Sequence, residues 1–479
     1  MKLEHKKQIV IIGGGITGLS AAYYLQKAVR EKHLPYDVTL IEASHRLGGQ
    51  LQTYKRNGYV IERGPDCFLE SQESATRLAL EVGLGDQLVH NKPTSTLIYA
   101  REQLHSIPGG AVIGIPTDIS PLLKTNLFSF PGKIRAAGDF ILPKSHHESD
   151  QSLGTFFRHR FGDEVVENFI EPLLSGVFAG DIDKMSLMAL FPHFYQIEQK
   201  YRSLILGMKK MSLPMSKEFL NDSRMFLSFK TGMQSFADGI AKKLNPESVK
   251  LGYRVEKIRK RNKRYEVVLN GGNIMMADSI IMAVPHQTLN SVLSDYSFLQ
   301  SLKGVPATSI ATVALGFPKD AIEKDMDATN VLVSRNSDST ITSCSCAHKV
   351  WPHTTPQGKV LYRCFVGRAG REVVVDLSDD QIVNNVLADL KNTFKISGSP
   401  ELSVVSRWPN SIPQYTVGHL QRMEKVQQGL TQELPGIFLA GKSYNGEGVS
   451  ACVKQGEEAV NNVMQYMMNQ SGQDVFQIG

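Results

Sequence analysis

Three glycines in the loop Gly13-Gly14-Gly15-Ile16-Thr17-Gly18 keep the spacing G-x-G-x-x-G, and an acid, Glu42, stands at the end of the apolar run that follows. Residues of these types in this order can hold a dinucleotide. Gly13 permits a tight turn, Gly15 lets the backbone approach a pyrophosphate, and Gly18 allows a helix to pack closely on a strand. Glu42 can accept hydrogen bonds from an adenosine ribose.

These residues work only if regular elements position them. The stretch QIVIIGGGITGLSAAYYL supplies an apolar strand over residues 9–12, the glycine turn, and an alanine- and leucine-rich helix. The helix N-terminus offers unpaired N–H groups and a partial positive charge to phosphates. A second strand, residues 38–41, ends on Glu42. Strand, glycines, helix, strand and acid in sequence make a far stronger signal than the glycines alone. Lys2, Lys6 and Lys7 ahead of an apolar run, with Ser20-Ala21-Ala22 after it, also resemble a secretory leader. Cleavage there would destroy the fingerprint, so the N-terminus is read as mature and cytoplasmic.

At 479 residues the chain is long enough for two or three substructures. Its composition, 42% hydrophobic and 21% charged, is that of a globular protein, and no apolar stretch reaches the roughly 20 residues of a membrane span. The five cysteines are odd in number and scattered, and Cys344-x-Cys346 lacks zinc spacing, so reduced thiols and no metal site are expected. The formal charge of +6 is modest, and the basic run RVEKIRKRNKR reads as a solvated hairpin without aromatic interleaving, which argues against nucleic acid.

Further glycine elements follow. Arg46-Leu47-Gly48-Gly49 comes directly after the acidic strand and Ala43, Gly64-Pro65-Asp66-Cys67 ends the strand YVIERGPD, and Gly441, Gly446 and Gly448 precede Val449 and a final helix. Two longer runs accompany them: FIEPLLSGVFAGD, from Phe169 to Asp181, and a segment from Arg407-Trp408 through Pro413-Gln414-Tyr415 to Gly418-His419. On these motifs the chain resembles, essentially end to end, the protoporphyrinogen/coproporphyrinogen oxidase family of the flavin amine oxidase-like superfamily, and most of all its coproporphyrinogen-oxidising members from Gram-positive bacteria.

The resemblance implies noncovalently bound FAD rather than NAD. Arg46 and the Gly48-Gly49 turn would lie along the flavin nucleotide, Gly64, Pro65, Asp66 and Cys67 near the isoalloxazine, and the backbone of Val255 at the adenine. Trp408 joins the cofactor-binding set. The glycines at 441, 446 and 448, with Val449, would present a helix N-terminus to the flavin pyrimidine. The implied reaction oxidises coproporphyrinogen III to coproporphyrin III, with O2 as acceptor and release of hydrogen peroxide, in haem biosynthesis. The implied partners are the porphyrinogen, O2 and, transiently, the iron-inserting chelatase, with peripheral contact at a membrane surface left open. Protoporphyrinogen IX remains an alternative substrate, and an amine oxidase or desaturase a more distant one, because fold alone does not fix function.

No catalytic side chain is assigned. His286, His348 and His419 read as structural, and Ser175-Gly176 lacks the context of a nucleophile elbow. Lys349, Arg363, Arg368, Arg158 and Lys209 are candidate donors to substrate carboxylates. The expected architecture is α/β: a discontinuous Rossmann-like FAD-binding domain (residues 1–85, 225–290 and 430–470), a mixed-sheet substrate domain (86–115 and 290–429), and a helical subdomain (116–224) with a polar link over 212–224.

Overall fold

The computed structural model describes residues 6–112, 114–145, 150–211, 225–323, 328–446 and 448–470, so the polar link lies outside the described residues. Strand Lys7–Ile12 is the centre of a five-stranded, wholly parallel sheet. On one side it pairs with Tyr36–Glu42, which pairs in turn with Val249–Leu251. On the other side come Ser279–Met282 and then Ile437–Leu439 at the edge. The late strand therefore returns to the sheet but does not touch the first strand, because Ser279–Met282 lies between them.

Both faces of this sheet are covered, which explains its continuous apolar strands. Ile9 and Ile11 pack with helices Ile16–Glu31 and Val449–Gln470. Val10 and Ile12 face the hairpin Val255–Arg261/Arg264–Leu269 and helix His286–Val292. The basic run is thus one strand of a hairpin, with its charged residues toward water.

A second sheet holds seven strands, in the order Leu402–Pro413, Ala307–Pro318, Lys359–Val366, Ile341–Cys346, Asn330–Val333, Thr96–Ala100 and Gln103–Ser106. Only the pairing of Asn330–Val333 with Thr96–Ala100 is parallel. Helix Asp379–Phe394 covers one face through Ile382, Val386 and Leu390, and Ser378 and Gln381 form a capping box at its start. This helix stands inside a block whose sequence reads as strand-rich.

Residues 119–145 and 150–211 fold as short helices around Phe156, Phe157, Phe161, Phe169 and Phe194, all fully or almost fully buried. Helix Glu171–Phe178, preceded by a π turn at Val166–Ile170, reaches from this cluster to the second sheet. No helix among the described residues is long and apolar enough to cross a membrane.

Candidate active site

The three glycines of the first turn play different physical roles. At Gly13 φ is +107° and an added Cβ would stand 2.4 Å from Ala283 O. At Gly18 it would stand 1.8 Å from Gly13 O. Both positions require glycine for the protein's own packing. Gly15 does not: its φ is −71°, and nothing lies within 4 Å of where its Cβ would point. The space beside Gly15 is an open cradle at the start of helix Ile16–Glu31, whose first turn has no side-chain cap and no acid. Uncapped N–H groups and the helix dipole there suit a pyrophosphate.

Glu42 ends its strand beside this turn. Its Oε2 accepts from Gly14 N–H at 2.6 Å and its Oε1 from Ser44 N–H at 2.8 Å, with Ala43 exposed between them. The acid therefore fixes the loop while keeping lone pairs for a ribose. Tyr253 N–H donates to Glu42 O at 3.1 Å and Gly252 N–H to Ser44 O at 2.9 Å, which brings Val255 to the same corner.

The later glycine elements converge on the first. Gly48 N–H donates to Gly14 O at 2.8 Å, and a Cβ on Gly49 would stand 3.1 Å from Gly15 Cα. Arg46 folds onto its own loop, donating to Leu47 O at 2.9 Å, to Leu51 O at 3.3 Å and to Gly49 O. It shapes the Gly48-Gly49 turn from behind. Gly441, at φ +121°, stands over the first helical turn, where its Cβ would meet Thr17 Oγ1 at 3.7 Å. After Gly446 and Gly448, both at positive φ, Val449 opens the last helix. That helix packs backbone to backbone on the first, since a Cβ on Gly456 would lie 2.6 Å from Thr17 O.

A cleft opens beyond these turns. Gln50, Gly64, Pro65, Asp66 and Trp408 line it on one side. Gln50 accepts from Lys442 Nζ at 2.7 Å, and Trp408 Nε1 donates to Arg63 O at 2.7 Å. Ile310, Thr312, Thr342 and Phe365 of the second sheet form another wall, and Ser175, Gly176 and Ala179 a third. Ala179 sits at φ 48°, a conformation uncommon for a residue with a side chain, and caps helix Glu171–Phe178. Cys67 is not among the lining residues. Its thiol, which burial pushes upward, lies 3.5 Å from Asp66 Oδ1.

Of the five candidate carboxylate donors, only Arg363 lines this cleft. Arg158 is engaged by Asp163, Glu167 and Asp183 at 3.0, 3.2 and 3.3 Å, and Lys209 by Asp118 at 3.6 Å. Arg368 is 1% exposed, and burial brings its guanidinium down to about 10. Lys349 stands on helix Ala347–Val350, outside the lining. The expectation of a basic cleft is thus met by one residue. The histidines lie off the cleft too: His286 and His419 place Nε2 3.0 and 3.1 Å from Val305 O and Tyr444 O, and His348 places Nδ1 3.2 Å from Leu361 O.

Glu62, just before the cleft-lining turn, is 7% exposed. Burial pushes its carboxyl up to about 7, against donors from Met233 N–H and Thr53 and the nearby Arg363. The folded protein therefore holds a proton that the unfolded chain releases at an ordinary carboxylate value. Stability from this group is fully present below about pH 4.5 and is lost as pH rises through 7, by roughly 3 kcal/mol in all. Glu62→Gln is expected to match the parent in Tm near pH 5 and to exceed it by a few degrees at pH 8. A Tm difference independent of pH would contradict the assignment.

The model of the family described as flavin containing amine oxidoreductase matches residues 16–464. The chain is 48% identical to the coproporphyrinogen III oxidase of Bacillus subtilis, over 97% of this chain and 100% of that one. It is 38% identical to the Staphylococcus aureus enzyme of the same name, over 96% and 99%. A crystal structure of a candidate protoporphyrinogen oxidase from an Exiguobacterium species superposes with a TM-score of 0.86 at 34% identity, covering 96% of this chain and 99% of that one. With nearly the whole chain matched and the glycine turns converging on one cradle, the protein belongs to the flavin containing amine oxidoreductase family.

Proposed function

We propose that this protein is an FAD-dependent oxidase that converts coproporphyrinogen III to coproporphyrin III in haem biosynthesis, with O2 as electron acceptor and hydrogen peroxide as the reduced product. The observation that carries the reaction class is the continuity of the converging glycine turns with the cleft at Gln50 and Gly64–Asp66. Near-full-length identity to two coproporphyrinogen III oxidases supports the substrate.

The residues fit FAD. The open side of Gly15, with Gly13, Gly14, Ile16, Thr17 and Gly18 around the helix start, would take the pyrophosphate, Glu42 and Ala43 the ribose, and Val255 the adenine end. Arg46 would hold the Gly48-Gly49 turn against the nucleotide. Gly64, Pro65, Asp66, Cys67 and Trp408 would stand beside the ring system, with Gly441, Gly446, Gly448 and Val449 at its pyrimidine end. When bound, FAD supplies the two-electron acceptor for each dehydrogenation. The chain's part is to bind and orient. Ile310, Phe365, Trp408 and Ile412 offer apolar surface to the macrocycle and exclude water from it. Arg363 is the lining cation, so most substrate carboxylates would project from the cleft toward solvent. The same reading divides the chain into the FAD-binding, substrate and helical parts given above. It places the protein in the cytoplasm, in transient contact with an iron-inserting partner or a membrane surface.

Anaerobic mixing with coproporphyrinogen, protoporphyrinogen and simple amines tests the proposal. Coproporphyrinogen is expected to bleach the flavin fastest, and admitting air to restore the colour with formation of peroxide. A clear preference for protoporphyrinogen would remove the proposed substrate, and bleaching by amines alone would remove the porphyrinogen reading.

A further inference from the structure

Among the described residues lining the cleft, Asp66 is the only carboxylate and Arg363 the only cation. Arg363 Nη1 lies 3.3 Å from Asp66 Oδ2, and the two side chains are 6% and 30% exposed. The arginine is fixed from several directions. Its Nε donates to Glu62 O at 3.1 Å, a second nitrogen donates to Gly64 O, and its Cζ lies 4.6 Å from the centre of the Phe365 ring. Asp66 is thereby held at the cleft wall by an immobile partner. Its Oδ1 meets the Cys67 thiol at 3.5 Å, and a thiol is a weak donor. An ionised carboxylate accepts at about four lone-pair positions, so Asp66 keeps acceptor capacity in a cleft that, Arg363 apart, is lined by apolar, hydroxyl, amide and indole groups.

We propose that the Asp66 carboxylate accepts hydrogen bonds from pyrrole N–H groups of the substrate and takes up the proton released at each oxidation step, an inference that rests on the porphyrinogen reading above. The inner rim of a porphyrinogen presents N–H donors and no acceptor, so an anionic acceptor is the complementary group. When a bridging carbon is oxidised, its C–H bond breaks and the electron pair leaves as hydride to the oxidised flavin. The positive charge left behind spreads onto the adjoining pyrrole, whose N–H becomes acidic. That N–H bond then breaks, its electrons complete the new double bond to nitrogen, and the proton passes to Asp66. Each round removes one hydride and one proton, and Asp66 is reset by releasing its proton to solvent. After three rounds one bridging carbon is still CH2 and one N–H remains; that carbon passes a proton to a ring nitrogen, which leaves the four CH bridges and two N–H groups of the porphyrin. An anion at this position also stabilises the cation as it forms. Arg363 is a positioning residue that keeps the carboxylate aimed.

Three variants of the flavin-loaded protein separate this role from a structural one. Asp66→Asn keeps an acceptor oxygen but cannot take a proton. It is expected to retain flavin and to bind coproporphyrin III, followed by porphyrin fluorescence quenching, within about threefold of the parent. Its rate of flavin bleaching by coproporphyrinogen is expected to fall on the order of 10²–10⁴-fold, the range typical of a lost general base. Asp66→Ala is expected to lose both coproporphyrin binding and rate, and Asp66→Glu to recover part of the rate. Parental bleaching by Asp66→Asn would overturn the proton role, and unchanged coproporphyrin binding by Asp66→Ala would overturn the anchoring role. A parent protein that coproporphyrinogen does not bleach would instead defeat the porphyrinogen reading itself.

Discussion

Gly15→Val is expected to purify as a folded, colourless protein. Backbone angles of −71° and −179° at this position are ordinary for valine, and no atom of the chain lies within 4 Å of the new Cβ. The substitution therefore costs the fold little. The volume it fills is the cradle between the Gly48-Gly49 turn and the uncapped start of helix Ile16–Glu31. A branched side chain there keeps a diphosphate from reaching the helix N–H groups. The expected loss is at least on the order of 100-fold in flavin affinity, about 2.8 kcal/mol. Acid precipitation reads it directly, because noncovalent flavin leaves the pellet and colours the supernatant. A Gly15→Val protein carrying flavin in parental amount would refute the cradle.

The same experiment on the neighbouring glycines should give a different failure. Gly18→Ala drives a methyl to 1.8 Å from Gly13 O, and Gly13→Ala meets Ala283 O at 2.4 Å with the backbone at φ +107°. Those variants are expected to be lost to misfolding before cofactor retention can be measured. One motif thus contains two glycines that the fold needs and one, Gly15, whose side-chain position the fold leaves open. Spacing alone does not distinguish them, whereas the direction of the absent Cβ does.

The parallel sheet and its glycine turn were legible because their signals are local. The strands flanking the first turn are continuously apolar since both faces of the sheet are buried, and Glu42 stands at the strand end where a ribose acceptor is expected. The cleft was not legible in the same way. Thr312 and Phe365 share a wall only because their strands pair in a register that sets them opposite each other, and no period within one strand reveals which strand will be its neighbour. Charge misled for the opposite reason. Arg158 and Lys209 meet carboxylates of their own helical region, while Arg363, embedded in the apolar strand Lys359–Val366, is the one that faces the cleft. Arg46 donates to backbone carbonyls of its own loop, those of Leu47 and Leu51 among them, a local role that the motif does not announce. Helix Asp379–Phe394 did leave a signal, a Ser378-x-x-Gln381 cap followed by Ile382, Val386 and Leu390 at four-residue steps. The strand-like segments around it hid that pattern.

Glu198→Ala is expected to open the helical region while leaving the flavin site loaded. Arg160, Asp139 and Glu198 are all 0% exposed and form one buried group. Arg160 donates to Glu198 and to Pro143 O at 2.8 Å, and lies 3.6 Å from Asp139. Glu198 also accepts from Ser145 N–H and Oγ–H, each at 2.7 Å, and Asp139 accepts from Ser203 Oγ–H at 2.5 Å and Ile205 N–H at 3.0 Å. Burial alone would raise the Glu198 carboxyl, but Arg160 and the Ser145 donors hold it below the ordinary carboxylate value. The group ties helices Leu153–Phe161 and Pro192–Tyr201 to the segments beside them. Removing Glu198 leaves a buried guanidinium with Asp139, 3.6 Å away, as its remaining anion, and breaking such a buried group typically costs about 3–5 kcal/mol. Removing the charges together, as Arg160→Met/Glu198→Leu/Asp139→Asn, should regain much of that loss, because no unpaired charge is left buried. None of these hydrogen bonds reaches the nucleotide sheet, so opening should be local. Limited proteolysis followed by visible absorbance checks this: cleavage within residues 139–205 should precede any loss of flavin colour. Simultaneous loss of both would mean that the helical region and the flavin site unfold as one unit.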